Sequence, residues 1–330
     1  MNISKEIHDL IAEYHLSNEP FSIVPLLGGG NNRIYIIEND KDRFILKHYF
    51  QHQNDKRNRL KNEYLFLEYC KNIQLNLVPV PLHFNEKNNI ALYSFIGGRQ
   101  AIQNDVNENT IKVVCEFYKH LNIQKHLGSH LSPASEACFK YSDYVKIIEN
   151  RIQSFGDFHE ETSLDKDVLN FLTSEFSSTW NKVKQKFLVD GNLSINTDFF
   201  DDVCISPSDF GFHNTLIDTG STRFIDFEYA GWDDPAKTIC DFFLQPKIPV
   251  DKEYFKVISE SFAQSSKQPE NLLQRVKKVQ PICQLKWVLI LLNGFSKVGR
   301  NRRDFSSAHN ISALENQLIK AKDLLNTIEV

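Results

Sequence analysis

Two neighbouring segments hold the groups best able to do chemistry: Ser206-Pro-Ser-Asp-Phe-Gly-Phe-His-Asn-Thr-Leu216 and Arg223-Phe-Ile-Asp-Phe-Glu-Tyr-Ala-Gly231. They supply a carboxylate (Asp209), a carboxamide five residues later (Asn214) and a second carboxylate (Asp226). Phosphoryl transfer asks little else of a protein than to hold a hydroxyl in line and to place metal ions and phosphates. A carboxylate of nearly ordinary pKa can take the hydroxyl proton late in that reaction, which is the part open to Asp209. Oxygen ligands suit Mg2+, so Asn214 and Asp226 read as metal ligands. The competing reading is that Asp-x-x-x-x-Asn arises by chance and that Asp209 and Asp218 shape turns. The run Phe224-Ile-Asp-Phe227 weighs against it, because an acid closing an apolar strand is poorly placed for a core role.

Other groups lie upstream. Gly28, Gly29, Gly30, Asn31 and Asn32 form a glycine-rich turn that could fold over phosphates with its backbone N–H groups, or be a plain hairpin. It matches neither Gly-x-x-x-x-Gly-Lys-Ser/Thr nor a helix-opening Gly-x-Gly-x-x-Gly. Lys47 ends an apolar strand, and Glu63 stands sixteen residues later on a helix; the two read as a phosphate-binding ion pair or as a surface pair. His213 reads as a phosphate contact or as packing. Tyr229, Trp232 and Phe242 border a substrate pocket or cation cage, or belong to the core. Asp233-Asp234-Pro235 caps a helix with proline in its first turn. Lys286, Lys297, Arg300, Arg302 and Arg303 make a basic stretch read as a solvated helix face.

The elements that must position these groups follow from periodicity. Strand patterns at 21–27, 33–38, 43–47, 80–84 and 89–96, with a helix over 57–72, predict a five-stranded sheet and one helix ending at Gly97-Gly98. Beyond about 109 the pattern is helical: 110–121, 144–155, 167–187, 252–262, 269–295 with a break near Pro281, and 308–329. Only 203–227 interrupts it, as a small hairpin. The predicted architecture is α+β: a small sheet lobe over 1–96 that carries the glycine turn, Lys47 and Glu63, and a helical lobe over 97–330 that holds the Asp209–Asp226 hairpin.

Bulk properties narrow the field. With 330 residues, 41% apolar and 24% charged, the chain reads as an ordinary globular protein. A net charge of −4 gives no signal for nucleic acid. The apolar run Trp287-Val-Leu-Ile-Leu-Leu292 falls well short of the roughly 20 residues that cross a bilayer, so no membrane insertion is expected and a buried helix is. The charged N-terminus lacks a secretory pattern, and the expected location is the cytoplasm. Six scattered cysteines predict reduced thiols and neither a zinc site nor a disulfide framework.

In order, the glycine turn, strand lysine, helix glutamate, double-glycine hinge, Asp-x-x-x-x-Asn loop and Ile225-Asp-Phe-Glu-Tyr229 resemble the aminoglycoside phosphotransferase and choline kinase family. The resemblance implies a bilobal protein-kinase-like fold and ATP or GTP with Mg2+. It implies phosphorylation of a hydroxyl on a sugar, amino sugar, aminoglycoside or amino alcohol, by a monomer or homodimer. It makes Asp209 the catalytic base, Asn214 and Asp226 the metal ligands, and Lys47 the phosphate lysine held by Glu63. It sets Tyr93, Ser94, Phe95 and Ile96 at the nucleobase. One departure stands out: Pro207-Ser208-Asp209 replaces the family's His-Gly-Asp. The alternative is a catalytically degenerate nucleotide-binding scaffold of the same fold.

Overall fold

The computed structural model describes residues 10–11, 14, 21–26, 32–51, 57–156, 162–189, 198, 200–297, 299–300 and 311–329. Strands β1 (Ser22–Leu26), β2 (Arg33–Glu38), β3 (Arg43–His48), β4 (Pro81–Asn85) and β5 (Ile90–Ser94) form one antiparallel sheet in the order β1-β2-β3-β5-β4. An Asx turn closes the β2–β3 hairpin: the Asn39 side-chain oxygen accepts the N–H groups of Lys41 and Asp42. Side chains alternate across a strand, and this alternation decides the fate of β3. Leu46 joins Leu10, Ile11, Ile37, Ile90 and Leu92 in a core on one face. Lys47, opposite Ile34 and Ala91 in register, therefore projects from the other face.

Helix α1 (Arg59–Asn72) covers that face. The Asn58 side chain caps it by accepting the Lys61 N–H at 3.0 Å. Glu63, Phe66, Leu67 and Cys70 are among its buried residues.

Five later strands are short: β6 (Arg99–Gln100), β7 (Cys204–Ser206), β8 (Thr215–Asp218), β9 (Ser221–Phe224) and β10 (Gly231–Asp233). β6, β8 and β9 form an antiparallel sheet, and β7 pairs with β10. Gly98 makes the first of these sheets possible. Its φ of +126° suits glycine, and a Cβ there would lie 3.0 Å from the Ile217 carbonyl oxygen. Gly98 thus admits β6 beside the hairpin that follows Asp209.

The remaining elements are helical: α2 (Glu108–Ile123), α3 (Tyr141–Gln153), α4 (Ser163–Phe171), α5 (Ser177–Val189), α6 (Pro235–Leu244), α7 (Phe255–Ala263), α8 (Pro269–Leu291) and α9 (Ile311–Asn326). A π-helical turn, Leu172–Phe176, joins α4 to α5. Among the described residues no helix is long and apolar enough to cross a membrane.

The chain forms two compact units, residues 1–135 with 207–231, and residues 136–206 with 232–330. In the second unit, α6 begins as its sequence suggests, with Asp234 accepting the Ala236 N–H at 2.9 Å and proline at the first turn. Two expectations are overturned there. Helix α8 runs through Pro281 without a break. Its buried positions, Val276, Val279, Ile282, Cys283, Leu285, Val288 and Leu289, supply packing that outweighs the roughly 3 kcal/mol local cost of proline. Lys286 is not on a solvated face. It is buried, with Nζ 2.5 Å from both Asp241 oxygens, and Trp287 Nε1 donates to the same carboxylate at 2.8 Å. Arg300 likewise pairs with Asp165 at 2.9 Å. A helix-wheel reading from charge alone misses a buried acid on a neighbouring helix. Lys297 is exposed, and Arg302 and Arg303 lie outside the described residues.

Candidate active site

Every described residue of the candidate site belongs to the first unit. Its centre is Lys47. The ammonium lies 2.7 and 3.0 Å from the two Glu63 oxygens and 2.9 Å from Asp226 Oδ1. Lys47 is 7% exposed and Glu63 1%. Burial alone would pull the Lys47 pKa down, but Asp226 and Glu63 together hold it well above its ordinary value. Burial pushes the Glu63 carboxyl up, and Lys47 opposes that shift. Asp226 itself is about one-third exposed and sits at φ +71°, a left-handed backbone uncommon outside glycine that aspartate adopts more readily than most residues. The next backbone N–H, of Phe227, is held by Glu63 Oε1 at 3.2 Å.

The loop with Asp209 is built by local bonds. Ser208 takes φ +62°, a left-handed backbone, and the Phe210 N–H returns to its carbonyl at 2.6 Å. A 3-10 turn, Phe212–Asn214, leads into β8. The Asn214 carboxamide N–H donates to the Asp209 carbonyl at 2.9 Å, which turns its oxygen away as a free ligand atom. The His213 Nε2–H donates to Asp209 Oδ1 at 3.2 Å, since a carboxylate can only accept. The Ile225 N–H binds the Asn214 carbonyl at 3.0 Å, so Asn214 stands across the hairpin from the residue before Asp226. Asp209 keeps 38% of its side chain exposed, so its carboxylate can be reached from solvent.

An aromatic stack carries both acidic segments. Phe210 follows Asp209, while Phe224 and Phe227 flank Asp226. Phe117 of α2 packs against Phe224 at 4.7 Å and Phe210 at 5.1 Å between ring centres, and Phe66 of α1 against Phe227 at 4.7 Å. Such pairs contribute about 0.5–1.5 kcal/mol each beyond area burial. Two helices thereby set the height of both carboxylates.

Gly28, Gly29, Gly30 and Asn31 lie outside the described residues. Asn32, the last of that turn, sends its amide inward: Nδ2 donates to Glu228 Oε2 at 2.6 Å and Oδ1 accepts the Phe50 N–H at 3.2 Å. Glu228 is also 4.0 Å from the buried Arg59 guanidinium. Sequence reasoning missed this cluster, because 196 residues separate its two ends. Tyr93 is 2% exposed and its hydroxyl meets Tyr49 at 2.6 Å, leaving Ser94, Phe95 and Ile96 half-buried along the chain beyond it. Tyr49 had no signal in the sequence beyond its position just past β3. The Tyr229 ring carries the guanidinium of Arg57 at 5.2 Å and that of Arg59 at 5.6 Å. Phe242 is core, at 1% exposure.

Mg2+ suits this donor set. Asp226 Oδ1 is taken by Lys47, leaving Oδ2, and Asn214 presents its amide oxygen. Among the described residues no cluster of three or more His, Cys, Asp or Glu side chains could hold a metal unaided. A magnesium ion bound through one carboxylate and one amide takes its other ligands from phosphate and water.

The five-stranded antiparallel sheet and mainly helical remainder define a bilobal, protein-kinase-like α+β fold. Among solved structures it is shared with choline kinase LicA from Streptococcus pneumoniae, at 15% identity over 99% of this chain and 100% of that one, TM-score 0.62. A choline/ethanolamine kinase family protein from Mesorhizobium loti matches at 15% identity over 99% and 96%, TM-score 0.62. The streptomycin-ATP ternary complex of APH(2'')-IIa matches at 15% identity over 99% and 97%, TM-score 0.60. No protein-family model and no curated protein matches the sequence. The group of kinases resembled by the order of motifs is the group whose fold the chain shares.

Proposed function

We propose that this chain is a kinase that transfers the γ-phosphoryl group of ATP or GTP, with Mg2+, to a hydroxyl of a sugar, amino sugar, aminoglycoside or amino alcohol in the cytoplasm. The observation that carries the reading is Lys47 bridging Glu63 and Asp226, with Asn214 across the hairpin from Ile225 and its amide bonded to the Asp209 backbone. The likeness to solved structures supports it, since one is named for bound ATP and another, of LicA, for bound AMP.

In this reading Lys47 contacts the phosphates, and Asp226 and Asn214 are the residues that would hold Mg2+, whose charge would offset that of the phosphates when bound. Asp209 accepts a hydrogen bond from the acceptor hydroxyl and takes its proton as the new O–P bond forms and the bond from Pγ to the bridging oxygen breaks, releasing the nucleoside diphosphate. His213 holds one Asp209 oxygen, which leaves the other for the hydroxyl.

The test is a screen of wild-type protein, Asp209→Ala and Asp226→Ala against ATP and GTP with Mg2+ and a panel of sugars and amino alcohols. The expected result is turnover in wild type, a loss of about 10²–10⁴-fold in Asp209→Ala with nucleotide still bound, and loss of the metal-dependent part of binding in Asp226→Ala. Turnover surviving both substitutions would sink the proposal. Nucleotide binding without turnover on any hydroxyl compound would favour a scaffold.

A further inference from the structure

The Glu63 carboxylate receives three donors: the Lys47 ammonium, the Phe227 N–H on Oε1 at 3.2 Å and the Tyr49 hydroxyl on Oε2 at 2.7 Å. An ionised carboxylate cannot donate, so the Tyr49 hydrogen points at Glu63. Tyr49 has only that hydrogen. The 2.6 Å contact between Tyr49 and Tyr93 therefore runs from the Tyr93 hydroxyl to the Tyr49 oxygen. Donor chemistry alone gives the chain Tyr93 to Tyr49 to Glu63, with Lys47 entering from the other side and passing on to Asp226.

All of this is out of water: Tyr49 is 1% and Tyr93 2% exposed. Burial pushes both phenols well above their ordinary pKa, with Glu63 adding to the shift, so both remain donors at neutral pH. In such surroundings a hydrogen bond is stronger and a missing one costs more. The chain also crosses elements. Tyr93 lies on β5 just before 94–96, Tyr49 follows β3, Glu63 is on α1, and the Phe227 N–H follows Asp226.

We propose that Tyr49 and Tyr93 are positioning residues that hold Glu63, and through it Lys47 and the backbone after Asp226, in the arrangement that receives a metal-bound nucleoside triphosphate. The proposal rests on the phosphotransferase reading. Neither phenol touches substrate. Tyr93 acts only through Tyr49, and Tyr49 only through Glu63.

Full-length wild type, Tyr49→Phe, Tyr93→Phe and the double variant are titrated calorimetrically with Mg-ATP, Mg-GTP, adenosine and guanosine, with melting temperature recorded beside each. Phenylalanine keeps the ring and removes the hydroxyl. Tyr49→Phe is expected to weaken the triphosphate that wild type prefers by about tenfold, the scale of one hydrogen bond to a charged group, with nucleoside affinity unchanged. Tyr93→Phe shows a smaller loss in the same direction. The double variant is no worse than Tyr49→Phe, because the second hydroxyl has nothing left to act on.

A lowered melting temperature with unchanged triphosphate affinity would reduce both residues to packing and overturn the proposal, as would equal losses for triphosphate and nucleoside. If Tyr49→Phe does not fold, Tyr93→Phe, which leaves all three donors of Glu63 in place, carries the same comparison. A wild type that binds no triphosphate overturns the kinase reading and this proposal together. A wild type that binds and turns over while its variants match it overturns this proposal alone.

Discussion

Lys47→Met keeps most of the side-chain volume and deletes the ammonium, stranding Glu63 at 1% exposure beside Asp226. Removing one member of a buried ion pair costs about 3–5 kcal/mol, because the other charge is left uncompensated. At about 2–4 °C per kcal/mol for a cooperative unit of 150–250 residues, melting should fall by on the order of 10 °C. The loss should depend on pH, and its sign follows from Glu63. Burial already raises that carboxyl, and the substitution removes the lysine that opposes the shift. An acid whose folded pKa exceeds its unfolded value, about 4.3 for glutamate, destabilises the fold progressively as pH rises through the folded pKa. The gap between wild type and Lys47→Met should therefore be wider at pH 8 than at pH 5. Adding Glu63→Gln removes the stranded charge, so the double variant should recover part of the loss and show little pH dependence. Calorimetric or fluorescence melts of nucleotide-free wild type, Lys47→Met, Glu63→Gln and the double variant at both pH values decide the matter. An equal gap at pH 5 and pH 8, or a double variant as unstable as the two single losses added, would refute the buried-pair argument.

Ser208→Gly should relieve a left-handed backbone at φ +62°, worth about 1–2 kcal/mol. Glycine's greater freedom in the unfolded chain returns about 0.5–1 kcal/mol of that, so urea unfolding should show a gain of at most about 1.5 kcal/mol, and a β-branched residue there should lose stability. A destabilised glycine variant would show that the loop depends on the Ser208 side chain. In the second unit, burial raises the Asp241 carboxyl, but Lys286 and Lys237 outweigh it and hold the pKa below the ordinary value. Its stabilising effect is present above the unfolded aspartate pKa, about 3.9, and is lost as pH falls through the lower folded value. Asp241→Asn should cost about 3–5 kcal/mol at pH 7 by stranding Lys286 and flatten the acid limb of a melting-temperature profile between pH 3 and 5; an unchanged limb would contradict the pairing.

Local order in the sequence was enough for the five-stranded sheet, the cap of α6 and the Asp209–Asn214–Asp226 hairpin, because period-two alternation and turn residues act over a few positions. The Lys47–Glu63 contact was also legible, as a lysine on the face of β3 that the next helix must cover. Contacts joining distant segments were not. Nothing near Asn32 announces Glu228, and a tyrosine just past a strand looks like core until its hydroxyl is seen on Glu63. Pro281 and Lys286 misled for a related reason. Each has a strong local preference, for a helix break and for water, and each is overruled by helices packed against α8. Tyr229, offered as a wall for a cationic ligand, already has two arginines against its ring.

The first unit is discontinuous, with 136–206 assigned elsewhere before 207–231 returns to complete it. A chain emerging from the ribosome can therefore assemble the sheet and α1 long before residues 207–231 complete the unit. Until 207–231 arrives, Lys47 has Glu63 but not Asp226, and Asn32 lacks Glu228. Closing that long excursion adds little entropy cost per extra residue, but it fixes an order of events. Truncation anywhere before 226 would release a partly folded N-terminal module in which Lys47 keeps Glu63 as its partner and has no Asp226.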